Sequence, residues 1–251
     1  MFFQTMNDLK LWLKIYKNCN FDSGSQGKCY KIRNKVFKIF IQFIDEEDDD
    51  IIIYNKEEIL RFSSIVNNTY IFPNDVIMVG DIVVGYITDY VDAISLYKIN
   101  PLDLDLDRFQ LALNKTTDDI RIISNNGILS FDVAYNIMYG DCGLKVIDTM
   151  EYSRSDIDSS ELFRLNKERF YYEIRLFLLD GYFDKFIKNN IILYSMCYDS
   201  NVDFNLFLEE FRKKLSENEG YEISKLGEAK KSLIRTKKKN CKYIRLLDGD
   251  I

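Results

Sequence analysis

The first half of the chain is a succession of short runs rich in β-forming residues. Cys29–Ile32 and Lys35–Ile41 are two of them, parted by a turn at Arg33-Asn34. After an acidic run, Asp45–Asp50, the period changes. From Ile53 to Val66, Glu58, Phe62 and Ile65 stand at helical spacing, which predicts a helix with that stripe turned inward. Asp75–Val79 and Ile82–Ile87 predict a hairpin closed at Gly80-Asp81. Asn100-Pro101 reads as an N-cap and the first residue of a helix. Phe109, Leu113, Ile120 and Ile123 carry one face of it to a stop at Asn125-Asn126-Gly127. Two short strands turning at Gly140–Gly143 follow. From about Ser160 the pattern is helical to the end, apart from a loop near Tyr198–Asp203. The pattern changes near Thr88–Ala93. Residues 1–90 form a small β-rich half with one helix, and residues 91–251 form a larger, mostly helical half. The expected class is α+β.

Composition narrows what such a chain can do. With 251 residues, 47% of them apolar, it can build a core as one large domain or two small ones. Its 34 basic and 40 acidic residues leave a net charge of -6, which argues against a surface devoted to nucleic acid. It contains no histidine. A Ser-His-Asp triad, a histidine-ligated metal and a histidine general base are therefore excluded, and proton transfer falls to Asp, Glu, Lys, Tyr or Cys. The five cysteines, Cys19, Cys29, Cys142, Cys197 and Cys241, are scattered without a C-x-x-C pair. They read as reduced thiols of a cytoplasmic protein. Met1–Leu13 lacks the basic start and continuous apolar stretch of a signal peptide, and no run is long enough to span a membrane.

Three constellations carry candidate chemistry. Gly24 and Gly27, three apart in Asp22-Ser23-Gly24-Ser25-Gln26-Gly27-Lys28, let the backbone turn tightly and approach phosphate oxygens; the same pattern also serves a ligand-free hairpin. Lys38 lies inside the apolar run Val36-Phe37-Lys38-Ile39-Phe40, on the face opposite Phe37 and Ile39. A buried ammonium needs a partner. The following helix offers Glu58, in phase with Phe62 and Ile65, with Glu57 as the alternative. The third constellation is Asp132 and Asn136, four apart, followed by a hairpin with Asp148 at its far end. Hard oxygens gathered across a turn suit Mg²⁺, which keeps few protein ligands and completes its shell with phosphate and water.

In this order the parts resemble the protein-kinase-like superfamily. Gly24 and Gly27 match two glycines of its phosphate loop, with Ser25 between them, and Val36-Phe37-Lys38 matches its V-A-I-K. The resemblance implies a two-lobed fold and an ATP- and Mg²⁺-dependent phosphotransferase. Lys38 would be the phosphate lysine and Glu58 its helix partner. Thr88 would be the gatekeeper, and Asp89 to Val91 would offer backbone groups to adenine. Asp132 would be the catalytic aspartate, and Asn136 and Asp148 the Mg²⁺ ligands. The acceptor would be a hydroxyl of a protein Ser/Thr or of a small molecule.

The sequence departs from the family in several places. Ser130-Phe131 replaces His-Arg ahead of Asp132, D-F-G reads Asp148-Thr149-Met150, and no A-P-E follows. These departures point to a compact, divergent member and keep a nucleotide-binding pseudokinase as an alternative. The basic stretch Lys225–Lys242 reads as a solvated helix face, with contact to nucleic acid, anionic lipid or an acidic partner as the alternatives. Tyr171-Tyr172 and the Ile174–Leu179 stretch read as core.

Overall fold

The computed structural model describes residues 1–24, 26–44, 52–179, 182–198 and 203–233. Ser25, the Asp45–Asp50 run, most of the Tyr198–Asp203 loop and the basic stretch beyond Leu233 lie outside them. The protein is mixed α+β and divides into two compact units. The first unit comprises Met1–Val66, Tyr70–Asp92 and Ile147–Met150; the second comprises Asn67–Thr69, Ala93–Val146 and the residues from Glu151 onward. Two short segments cross a cut near residue 90: Asn67–Thr69 belongs with the second unit, and Ile147–Met150, which carries Asp148, with the first.

The first unit is built on a six-stranded sheet. Its strands are β1 (Phe2–Phe3), β2 (Asn20–Gly24), β3 (Gly27–Ile32), β4 (Lys35–Phe40), β5 (Asp75–Val79) and β6 (Ile82–Asp89). They lie in the order β1-β5-β6-β4-β3-β2, antiparallel except for β1 beside β5. The expected turns fall where the backbone needs them: Arg33 has φ 56° between β3 and β4, and Gly80 has φ 55° between β5 and β6. Strand alternation decides the two faces of β4. Ile39 and Phe37 join Leu9, Tyr30, Ile77 and Val84 in one apolar cluster. Phe40 joins Val76, Val83, Tyr86 and Ile59 in another. Leu9 belongs to α1 (Met6–Ile15), a helix in addition to the single one expected of this half, set by a Thr5–Asp8 capping box. Trp12 of the same helix contacts Phe3, Tyr16, Tyr30 and Phe37.

The helix expected over Ile53–Val66 is reduced to the single turn α2 (Lys56–Ile59), capped by Asn55. Beyond it the chain makes tight i→i−3 bonds, Arg61 N–H to Glu58, Ser63 N–H to Leu60 and Ile65 N–H to Phe62. The β-branched and small polar residues Ser63, Ser64, Ile65 and Val66 sustain no further α-turn. The inward pair is Ile59 and Phe62, both buried, which turns Glu58 outward.

The second unit is mainly helical: α3 (Leu106–Asn125), α4 (Ser159–Leu179), α5 (Asp184–Lys188), α6 (Ile191–Tyr198) and α7 (Phe204–Glu219). Short strands complete it, with β9 (Ile137–Gly140) pairing both β7 (Ile94–Ser95) and β10 (Gly143–Val146), and β8 (Ile128–Leu129) pairing β11 (Ser153–Arg154). Phe109, Leu113, Ile120 and Ile123 form the buried stripe of α3, and Gly127, at φ 68°, follows its end. The start differs from expectation. Asn100 caps only the 3₁₀ turn Pro101–Asp103, and Asp105 caps α3 by accepting from the Arg108 N–H. Tyr171, Ile174, Phe177, Leu178 and Leu179 of α4 are buried as expected of a core stretch, but Tyr172 points to the other side of the helix and is exposed. The described part of the basic stretch is not a helix face: Leu226–Glu228 is a 3₁₀ turn whose Leu226 is buried, as is Ala229 just beyond it. No helix of the described residues is long and apolar enough to cross a membrane.

Candidate functional site

Lys38 is 8% exposed in the middle of β4. Its Nζ donates to both carboxylate oxygens of Asp148 at 2.6 Å and to Gln26 Oε1 at 3.2 Å. Tyr86, directly opposite Lys38 on β6, donates its hydroxyl to Asp148 Oδ1 at 2.6 Å. Its ring centroid lies 5.7 Å from the Lys38 ammonium. All four residues belong to the first unit. The carboxylate that answers Lys38 is therefore Asp148 and not Glu58. The Glu58 side chain is 70% exposed and stands 3.5 Å from Arg61, one turn along. Glu57 is also exposed, on the same single turn.

Two glycines bring the strands close enough for this contact. A Cβ on Gly27 would stand 2.4 Å from the Ile39 carbonyl oxygen, and one on Gly85 would stand 2.2 Å from the Lys38 carbonyl oxygen. Gly27 and Gly85 thus flank β4 on its two sides. Gly24 pairs with Gly27 at the closed end of the β2–β3 hairpin. Asp148 itself sits at φ 56°, a left-handed conformation for a residue with a side chain. Its segment is tied down by Thr149 Oγ1 donating to the Ile71 carbonyl at 2.9 Å and Arg61 Nη2 donating to the Met150 carbonyl at 3.1 Å.

The stretch proposed for adenine lies at the end of β6. The Asp89 carboxylate pairs with Lys35 at 2.6 Å. The Tyr90 N–H is taken by the Asn34 carbonyl, at 2.9 Å. Thr88 and Val91 are half-buried.

In the second unit Asp132 has φ 42° and an exposed side chain. Asn136 ends the 3₁₀ turn Ala134–Asn136, and its Nδ2 donates to the Asp132 carbonyl at 2.7 Å. The amide oxygen remains as its acceptor. The loop that carries Asp132 hangs from a polar network centred on fully buried Asn166 of α4. Asn166 Oδ1 accepts from the Ser130 N–H and hydroxyl, each at 2.9 Å. Its Nδ2 donates to Ser124 Oγ at 3.0 Å and to the Ile128 carbonyl at 2.7 Å. Arg169 donates to the Ser130 carbonyl and covers the Phe131 ring at 5.0 Å. An open cleft of about 530 Å³ lies beside this loop, walled by Phe131, Asp132, Leu165, Glu168, Tyr172 and Glu173.

Sequence reasoning missed Gln26, Tyr86, Gly85, Asn166 and Arg169. Gly85 carried a signal, since glycine inside a strand marks close backbone approach. The others carried none, since the contacts of Gln26 and Tyr86 follow from strand register and those of Asn166 and Arg169 from the packing of α4.

Cys29, next to the glycine turn, illustrates the local electrostatics. Burial pushes its thiol up to about 11, against the pull of the Lys38 ammonium. Among the described residues no group of three or more His, Cys, Asp or Glu gathers to hold a metal ion. No protein-family model matches the sequence, and no curated protein matches it.

Proposed function

We propose that the chain is an ATP- and Mg²⁺-dependent phosphotransferase acting on a hydroxyl acceptor. The observation that carries this reading is the buried pair of Lys38 and Asp148, drawn together from positions 110 residues apart. Desolvating an ion pair costs several kcal/mol per charge, and apolar residues in the same space stabilise as well or better. A lysine and an aspartate placed beside a glycine turn, with the aspartate in a strained backbone, therefore point to chemistry rather than to stability.

The first unit would bind the nucleotide. Gly24 and Gly27 would let the hairpin backbone lie close over the phosphates, and Lys38 would neutralise and orient them. The backbone at Asp89 and Val91 would meet the base. In the second unit Asp132 would orient the acceptor hydroxyl and take its proton, a role open to a carboxylate in a chain without histidine. The chemistry of each donor suits a hard cation: Asp148 of the first unit would supply a carboxylate and Asn136 of the second an amide oxygen, few protein ligands of the kind Mg²⁺ takes alongside phosphate. Bound Mg²⁺ would offset the charge of the transferring phosphoryl group. A protein Ser/Thr hydroxyl is the leading acceptor, on the strength of the glycine-turn sequence. A small-molecule alcohol follows, favoured by the short connection from Asp148 to Ser159. Nucleic acid is the least fitting partner for a chain of this charge. The free thiols at Cys19, Cys29, Cys142 and Cys197 accord with work in the cytoplasm, where ATP is available.

The test is incubation with labelled ATP and Mg²⁺, followed by autophosphorylation and ATP turnover. Lys38→Ala and Asp148→Ala are expected to abolish both; equal turnover in either variant would discard the assignment. A second reading, a nucleotide-binding protein without transfer, is favoured by Ser130-Phe131 ahead of Asp132. It expects a Mg²⁺-ATP-dependent rise in melting temperature with no turnover.

A further inference from the structure

We infer that Tyr86 is a positioning residue for Asp148: its hydroxyl aims the carboxylate when Lys38 is drawn away toward phosphate. The consequence for cation binding rests on the phosphotransferase reading; the contact itself lies wholly within the first unit. Tyr86 and Lys38 are direct partners across β6 and β4, so their side chains leave the sheet on the same face. Tyr86 is buried, packed with Phe40 and Val76. A buried tyrosine hydroxyl needs a partner, and here it is Asp148 Oδ1 at 2.6 Å.

Asp148 follows the end of β10 and lies outside every strand and helix, so the sheet ladder does not fix its carboxylate. A carboxylate torsion is broad unless donors hold it. Lys38 holds both oxygens, but the proposed reaction needs that ammonium on the phosphates. Tyr86 is the donor that stays. By keeping Oδ1 it leaves Oδ2 presented for the cation. The bare Gly85 beside it lets β6 lie against the Lys38 carbonyl and so brings the phenol within reach. The helix glutamate expected to steady Lys38 takes no part, since Glu58 is turned to Arg61.

The test is Tyr86→Phe, which removes one oxygen from the site. Two readouts are compared with the wild type: the rate of Lys38 acylation by a water-soluble acylating reagent, followed by peptide mass spectrometry, and the Mg²⁺ concentration for half-maximal turnover. Lys38 is expected to acylate several-fold faster, and the Mg²⁺ requirement to rise about tenfold with the KM for ATP changed less than twofold. Val76→Ala, which loosens the same cluster without touching Asp148, is expected to lower the melting temperature and leave the Mg²⁺ requirement unmoved. Wild-type acylation in Tyr86→Phe overturns the inference. So does faster acylation with an unmoved Mg²⁺ requirement, or a Val76→Ala variant that moves that requirement equally. If the wild type turns over no ATP, the phosphotransferase reading fails by itself, and the acylation rates alone decide whether Tyr86 orders the pair.

Discussion

The Lys38 ammonium stands 2.6 Å from both carboxylate oxygens of Asp148, with their side chains only 10% and 28% exposed. Removing one partner of such a pair leaves an uncompensated buried charge, at a cost of about 3–5 kcal/mol. Lys38→Met and Asp148→Asn are each expected to destabilise on that scale. The double variant is expected to lose clearly less than their sum, because neither charge is then stranded. Urea titration of the four proteins checks this; additive losses would show that the pair is not coupled.

On the proposed phosphotransferase reading, the same contact predicts how nucleotide and cation would bind. With Lys38 on Asp148, Mg²⁺ alone meets a carboxylate that is already neutralised and is expected to shift the melting temperature little. If the chain is the proposed phosphotransferase, ATP phosphates would compete for the ammonium, so ATP and Mg²⁺ together are expected to shift it by more than the sum of their separate effects. Asp148→Asn should lose the cooperative part. A shift from Mg²⁺ alone as large as that of the mixture would contradict the competition.

Glycine at positions 27 and 85 is required by space, not by backbone angle. Ala at either position would put a Cβ within 2.4 Å or 2.2 Å of a carbonyl oxygen of β4. Either substitution is expected to cost about 1–3 kcal/mol or more through strand displacement, and to weaken nucleotide binding as Lys38 moves. Gly80 is the contrast: it has φ 55°, and a Cβ there would meet no atom within 4 Å. Ala at position 80 incurs only left-handed strain, about 1–2 kcal/mol, with binding unchanged. Denaturation and nucleotide titration of the three variants separate the two causes.

Asn166 holds the Asp132 loop through Ser130, Ser124 and Ile128. Asn166→Ala would strand a buried N–H and a buried carbonyl, each costing about 1–3 kcal/mol. Asn166→Asp keeps an acceptor for Ser130 but cannot donate to the Ile128 carbonyl while ionised. Both are expected to lower the melting temperature, and turnover should fall even at temperatures where the variants remain folded. Circular dichroism with a parallel turnover assay checks the split.

Alkaline pH should weaken the fold through three acids that it holds partly or wholly away from water. Burial pushes the thiols of Cys29 and Cys197 from 9.0 up to about 11, and the Tyr171 phenol from 10.0 up to about 12. A raised value means that the unfolded chain releases its protons first as pH rises. The stability these groups contribute is full below about 9 and is lost as pH climbs through the folded values. Urea midpoints measured from pH 8 to pH 11 should fall steadily, and the double variant Cys29→Ala, Cys197→Ala should flatten the fall relative to its own value at pH 8.

The strands around Lys38 were legible because their apolar pattern and turn residues act locally: Arg33-Asn34 and Gly80-Asp81 fall in turns as expected. The special standing of Lys38 was legible too, since an ammonium within an apolar strand demands a partner. Its partner was not. The spacing of Phe62 and Ile65 pointed to Glu58, but the helix ends after one turn and Ile59, not Ile65, shares the inward face with Phe62. The Phe109–Ile123 stripe is the buried face of the long helix of the second unit, yet the cap of that helix is Asp105, because Leu104 resumes an extended backbone after the Pro101–Asp103 turn.

Period and desolvation, which act locally, thus settle the two faces of β4, the inward stripe Phe109–Ile123 of α3 and the need of Lys38 for an answering charge. The tertiary structure alone decided who answers: Asp148 and Gln26 for Lys38, Tyr86 for Asp148, and Asn166 for the Asp132 loop. Those pairings depend on strand register and on where distant segments cross, and no local pattern records either.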